Sequence, residues 1–199
     1  PLDGFIRASH GRTLSIMFPL IAQESELYTA KELVDRVLSG EKRLGHNIPN
    51  ELKVGAMLET PSLAYAPEDF FTAVDFLSVG GNDLKQFFFA ADRENELVRR
   101  KYDTLSSSFL TYLKFVINRC KELKTPISFC GEDAGRPIEA VCLCAIGFSS
   151  LSMRPASIGP VKHLLRRVNL EELNNIMNSE IASGSSSVRT AVEKYNKSI

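Results

Sequence analysis

Val74-Asp75-Phe76-Leu77-Ser78-Val79, running into Gly80-Gly81-Asn82-Asp83, is the stretch on which the reading of this chain turns. Its first half is rich in β-branched and aromatic residues and reads as a strand. Its second half drops abruptly to two glycines and two polar residues. The same change recurs along the chain. Ser15-Ile16-Met17-Phe18-Pro19 reads as a first strand, and Lys53-Val54-Gly55-Ala56-Met57-Leu58 as a second that ends in Glu59-Thr60-Pro61. Pro126-Ile127-Ser128-Phe129 reads as a fourth, ending in Cys130-Gly131-Glu132, and Ser150-Leu151-Ser152-Met153 as a fifth.

Helical patterns lie between these runs. Leu27, Ala30, Leu33, Val34, Val37 and Leu38 form one apolar face of a helix over Glu24–Gly40. A short aromatic helix is expected through Phe87-Phe88-Phe89, a long amphipathic one near Leu105–Lys121, and another over Arg136–Ile146 capped by Gly147. Ile158–Val168, Leu170–Ile181 and Val188–Lys197 complete the helices, with Ser183–Ser187 as a flexible stretch. Strands alternating with helices predict an α/β fold of parallel β/α units. Periodicity does not separate a doubly wound sheet from a (β/α)8 barrel. The polar residues are more informative: most of the unusual ones, Glu59, Asn82, Asp83, Cys130 and Glu132, fall at C-terminal strand ends, which converge on one mouth in a barrel and would fan apart in an open sheet.

Composition sets outer bounds. The 199 residues are 44% hydrophobic and 24% charged, an ordinary globular balance, and suit one core rather than two. Lys plus Arg and Asp plus Glu both number 24, so no general basic character points to nucleic acid. No apolar run reaches the roughly 20 residues of a membrane span, and a cytoplasmic location is expected. Cys120, Cys130, Cys142 and Cys144 have no C-x-x-C spacing and are expected as reduced thiols.

Glu59 and Asp83 end adjacent strands and would suit Mg2+, which takes a few carboxylates plus water and substrate oxygens; helix capping is the ordinary alternative. Arg93 follows Asp83 by ten residues. Its guanidinium suits a phosphate or carboxylate, against a surface pairing with Asp92 or Glu94. Asn82 is either a neutral donor or turn chemistry after the glycines. Cys130 is either a thiol able to exchange a proton with a substrate or a small buried hydrophobe. His10, His46 and His163 fall in no catalytic constellation.

Taken together, Ser15–Ile21, Gly55–Pro61, Val79–Leu84, Ala91-Asp92-Arg93, Cys130-Gly131-Glu132 and Ser152-Met153 resemble enzyme I of the phosphoenolpyruvate-dependent phosphotransferase system, in order and approximate spacing. Val79–Phe89, Tyr102–Ser106 and Pro155–Lys162 look most like its nitrogen-regulatory paralogue. The resemblance implies the C-terminal portion, about five β/α units, of a phosphoenolpyruvate-binding (β/α)8 barrel. Residues 1–199 would form a single incomplete barrel domain, with the helices from about 169 packed on it. It further implies that Glu59 and Asp83 hold Mg2+, Asn82 and Arg93 bind phosphoenolpyruvate, and Cys130 handles the proton at the pyruvate methylene. The phosphorylated histidine and contact with an HPr-like phosphocarrier would belong to an N-terminal domain outside this chain. The 199 residues alone are then expected to be inactive, and either to be part of a longer protein or to dimerise over exposed apolar surface. Pyruvate phosphate dikinase and phosphoenolpyruvate synthase resemble the same barrel and are the enzymatic alternatives; a regulatory or dimerisation module without turnover is the non-catalytic one. Gly81 departs from the family's usual Thr or Ser, and Lys85 is an unusual charge beside the site.

Overall fold

Each apolar run is followed by a helix that must cover it, so successive strands can pair only in parallel. The computed structural model bears this out; it describes residues 1–91 and 102–199. Strands β1 (Leu14–Phe18), β2 (Leu52–Leu58), β3 (Phe76–Gly80), β4 (Ile127–Cys130) and β5 (Leu151–Ser152) form one sheet in the order β1-β2-β3-β4-β5. All four pairings are parallel. A doubly wound sheet reverses its strand order at a switch point. This sheet advances in one direction throughout, as successive units of a (β/α)8 barrel do.

A helix not anticipated from the sequence, α1 (Leu2–Ala8), precedes β1 and buries Ile6. Helix α2 (Glu24–Arg43) begins where Glu26 folds back to accept the N–H groups of Ala22 and Gln23, at 2.8 and 3.0 Å. That satisfies two amides at the helix start. Two 3₁₀ turns, Pro61–Tyr65 and Glu132–Gly135, follow β2 and β4, and α3 (Glu68–Ala73) leads into β3. Helix α4 (Gly81–Phe89) starts on the residue after β3, six positions before its expected aromatic core.

Helix α5 (Ser107–Glu122) is capped by the Ser106 hydroxyl and buries Phe109, Leu113 and Val116. Phe88 and Phe89 of α4 meet Phe109 edge-on and tilted, with ring centroids 5.3 and 6.0 Å apart. Helix α6 (Pro137–Ile146) does end at Gly147, which adopts φ 124°. Helices α7 (Pro155–Leu165), α8 (Leu170–Ala182) and α9 (Arg189–Ser198) close the chain. Leu173 and Met177 of α8 and Val192 and Tyr195 of α9 enter the same core as the sheet. Cys120 and Cys142 lie in it too, where burial pushes each thiol up to about 12.

The Ser183–Ser187 stretch, expected to be flexible, is pinned. Ser186 O accepts Ser107 N–H at 2.9 Å, Val188 N–H reaches Leu105 O at 3.0 Å, and Ser187 bridges Ser106 in antiparallel fashion. Serine-rich composition predicts mobility only while nothing nearby offers a partner. Here the segment before α5 presents a short free edge.

Candidate functional site at the strand ends

Parallel pairing puts the C-terminal ends of β2, β3, β4 and β5 side by side. Gly80 is in register with Cys130, and Cys130 with Ser152. Glu59 follows Leu58, the last residue of β2, and reaches the same row: a Cβ on Gly80 would lie 2.7 Å from Glu59 Oε2 and 2.9 Å from Met57 Sδ. A side chain at Gly80 would push Glu59 and Met57 out of these positions. Gly81 is as crowded, since a Cβ there would stand 2.2 Å from Phe129 Cζ. Phe129 fills the place that Thr or Ser would otherwise occupy. The two glycines make no turn, and Asn82 lies in the first turn of α4.

Glu59 is 3% exposed and, among the described residues, makes one hydrogen bond, accepting Leu20 N–H on Oε1 at 2.6 Å. Leu20 stands just beyond β1 at φ 54°, a left-handed conformation that costs a non-glycine residue energy and clusters at functional sites. Burial raises the Glu59 carboxyl above the usual range; the Leu20 amide works against this, and the charge of Asp83 adds to it. Asp83 thus lies close enough to act on Glu59, as required of two ligands of one cation. Among the described residues no three Asp, Glu, His or Cys side chains form a fuller cage. Two carboxylates suit Mg2+, which keeps positions for water and substrate oxygens.

Asn82 Oδ1 accepts the N–H of Glu132 at 3.2 Å, which leaves its amide group to donate. Cys130 is partly exposed, and its S–H donates to Val79 O at 3.4 Å. Both line a cleft of about 620 Å3 whose far wall contains Arg136, Ser152, Met153, Arg154 and Ser157. Arg93 lies outside the described residues.

Lys85, expected as a charge beside the site, is instead turned inward. Its Nζ donates to Asp133 Oδ2 at 2.5 Å and contacts Thr104 Oγ1 at 3.2 Å. Thr104 also donates to Asp133, and Arg136 pairs with the other carboxylate oxygen at 3.1 Å. Burial pushes the Asp133 carboxyl up, and Lys85, Thr104 and Arg136 more than reverse this, leaving it below the usual range. Asp133, Leu20 and Arg154 are the residues that sequence reasoning missed. Lys85, a cation beside the buried Leu84, was itself the signal that an anion had to lie opposite.

A strand-end row of this kind, on a one-directional parallel sheet, defines the mouth of a β/α barrel enzyme. The chain belongs to the PEP-utilising enzyme, PEP-binding domain family, whose model matches residues 2–170. It is 33% identical over 196 residues to a phosphoenolpyruvate-protein phosphotransferase of Latilactobacillus sakei, covering 98% of this chain and 33% of that protein. It is 34% identical over 164 residues to a protein of Salmonella typhimurium called "Phosphoenolpyruvate-dependent phosphotransferase system", covering 82% and 22%. The chain thus spans a third or less of these relatives. RipC from Yersinia pestis, a solved structure, superposes with a TM-score of 0.49 and 15% identity over 76% of this chain and 63% of that one, which is too slight to inform fold or function.

Proposed function

We propose that this chain binds phosphoenolpyruvate at the strand-end mouth, as the PEP-binding part of a phosphoenolpyruvate-protein phosphotransferase. The observation that carries the reading is the row Glu59, Gly80, Cys130, with Asp83 acting on a buried Glu59 that has no cation beside it among the described residues. Glu59 and Asp83 would hold Mg2+, which supplies positive charge to a transferring phosphoryl group. Asn82 directs its free amide at a substrate oxygen, and Arg93 grips the phosphate. Cys130 gives the thiol proton to the methylene carbon of the enolpyruvate, so that pyruvate leaves as the keto acid and the thiolate takes up a proton afterwards.

The phosphoryl group goes to a histidine elsewhere in the protein and on to an HPr-like phosphocarrier. His46 does not compete for that role, since it is held by Glu41 at the opposite end of the sheet, Nδ1 to Oε2 at 2.6 Å. Val79–Phe89 and Pro155–Lys162 favour the nitrogen-regulatory branch. Tyr65 and Phe115, both exposed and stacked with ring centroids 5.2 Å apart, offer an apolar surface that a homodimer would cover. No helix among the described residues is long and apolar enough to cross a membrane, which accords with a cytoplasmic enzyme.

Calorimetry of phosphoenolpyruvate with and without Mg2+, on wild type, Glu59→Ala and Arg93→Ala, tests the assignment. Binding should require Mg2+ and should be lost in both variants. Wild-type affinity in both variants overturns the site.

A further inference from the structure

Asn82 and Cys130 sit on different elements, and what fixes one against the other is the turn after β4. Gly131 leaves Cys130 at φ 126° and ψ 179°, a conformation closed to side-chain-bearing residues, and a Cβ there would lie 3.1 Å from Asn82 Oδ1. No strand pairing continues beyond Cys130, so side chains must hold the turn. Two residues of α4 do this. Asn82 accepts Glu132 N–H, and Lys85, three positions on and on the same helix face, binds Asp133.

Among the described residues Asp133 has two cations, and they are not equivalent. The Arg136 side chain is 57% exposed, whereas that of Lys85 is 20% exposed and that of Asp133 only 4%. Lys85 is the buried partner, and without it the Asp133 charge would be offset, among the described residues, by a solvated guanidinium and a hydroxyl. We infer that Lys85 is a positioning residue of the site, acting through Asp133 on the turn that follows Cys130 and carries Glu132. The inference rests on the reading of this mouth as the phosphoenolpyruvate site. It gives Lys85 a task on the site's proton-transfer side, away from the substrate phosphate.

The test follows the Cys130 thiol in the unliganded chain, by mass spectrometry of its alkylation by iodoacetamide, together with phosphoenolpyruvate affinity in Mg2+. Assays are run well below the melting temperature of each variant. Lys85→Met is expected to change the Cys130 alkylation rate about fivefold or more and to weaken phosphoenolpyruvate about tenfold, while Lys85→Arg stays within about twofold of wild type. A purely structural role would lower only the melting temperature. Lys85→Met within about twofold of wild type on Cys130, or Lys85→Arg as altered as Lys85→Met, overturns the inference. Should Lys85→Met fail to fold, Lys85→Met/Asp133→Leu removes both charges together; it should still show altered alkylation, and a wild-type rate there overturns the inference equally. In wild type, phosphoenolpyruvate with Mg2+ should slow alkylation of Cys130. Failure of that arm alone brings down the substrate assignment and leaves the Lys85 result, read on the unliganded thiol, intact.

Discussion

Glu59 and Glu41 are glutamates buried to nearly the same degree, 3% and 5% exposed, at opposite ends of the sheet. Glu41, near the end of α2, is gripped by Arg7 Nε and Nη2 at 2.8 and 3.1 Å and by His46, and these partners hold its carboxyl below the usual range. Among the described residues Glu59 has a single backbone amide and no cation as partner, and burial holds it above that range. A barrel's lower face serves stability and its upper face serves chemistry. The lower glutamate has its charge neutralised by the protein itself; the upper one keeps an electrostatic demand that a bound cation can meet.

The largest expected break in this contrast is in ligand binding. Glu59→Ala should weaken Mg2+-dependent phosphoenolpyruvate binding by about a hundredfold or more, since one of two anionic ligands is lost, whereas Glu41→Ala should leave it within about twofold. Calorimetry on both variants decides; equal losses would erase the distinction between the two ends. Next in size is packing shared by both ends. Phe109→Ala removes a fully buried ring from the α4–α5 aromatic cluster and should cost about 3–5 kcal/mol in urea unfolding.

Charge removal at the mouth should come close to that. Asp133→Ala leaves Lys85 largely enclosed without its carboxylate and should cost about 3 kcal/mol, read by the same unfolding experiment. Glu59→Gln should run the other way and raise the thermal midpoint slightly, because a raised carboxyl marks a site where the charged form is disfavoured by folding. The smallest effect is acid sensitivity. Glu41, Asp103 and Asp133 are all lowered in the folded chain, so their contribution is present above the ordinary carboxylate range and is lost as pH falls through the lowered values. Melting curves should therefore shift down below about pH 4, and the shift should be smaller in Glu41→Gln.

Much of the fold was legible because it rests on local patterns. All five strands and the long helices follow from hydrophobic period, and the Gly147 cap from composition. Strand order was not legible in the period, since it depends on which edges meet in space; the polar residues at the strand ends were what pointed to it. Helix α1 was missed because its seven residues offer too few turns to show a period. At the site, Glu59 and Asp83 were visible as polar breaks after apolar runs, and the fold brings the charge of Asp83 to bear on Glu59. Lys85 was visible as an oddity, but its partner stands 48 residues away. Leu20 was invisible for another reason: its contribution is a backbone amide in an unusual conformation, which no side-chain pattern announces.

The clasp on the segment before α5 has a consequence in time. Arg189 binds Asp103 through Nε and Nη2 at 2.5 and 2.8 Å, and Glu139 through Nη2 at 2.6 Å. Asp103 neighbours Thr104, which in turn donates to Asp133. Asp103 and Arg189 are 86 residues apart, so this contact closes a long loop and is costly to form early. During synthesis the turn beside Cys130 emerges well before the helix that steadies its neighbour. The mouth should therefore set late, after α9 has been made, and a ribosome-stalled chain ending before Arg189 should leave Cys130 on a turn still searching for its place.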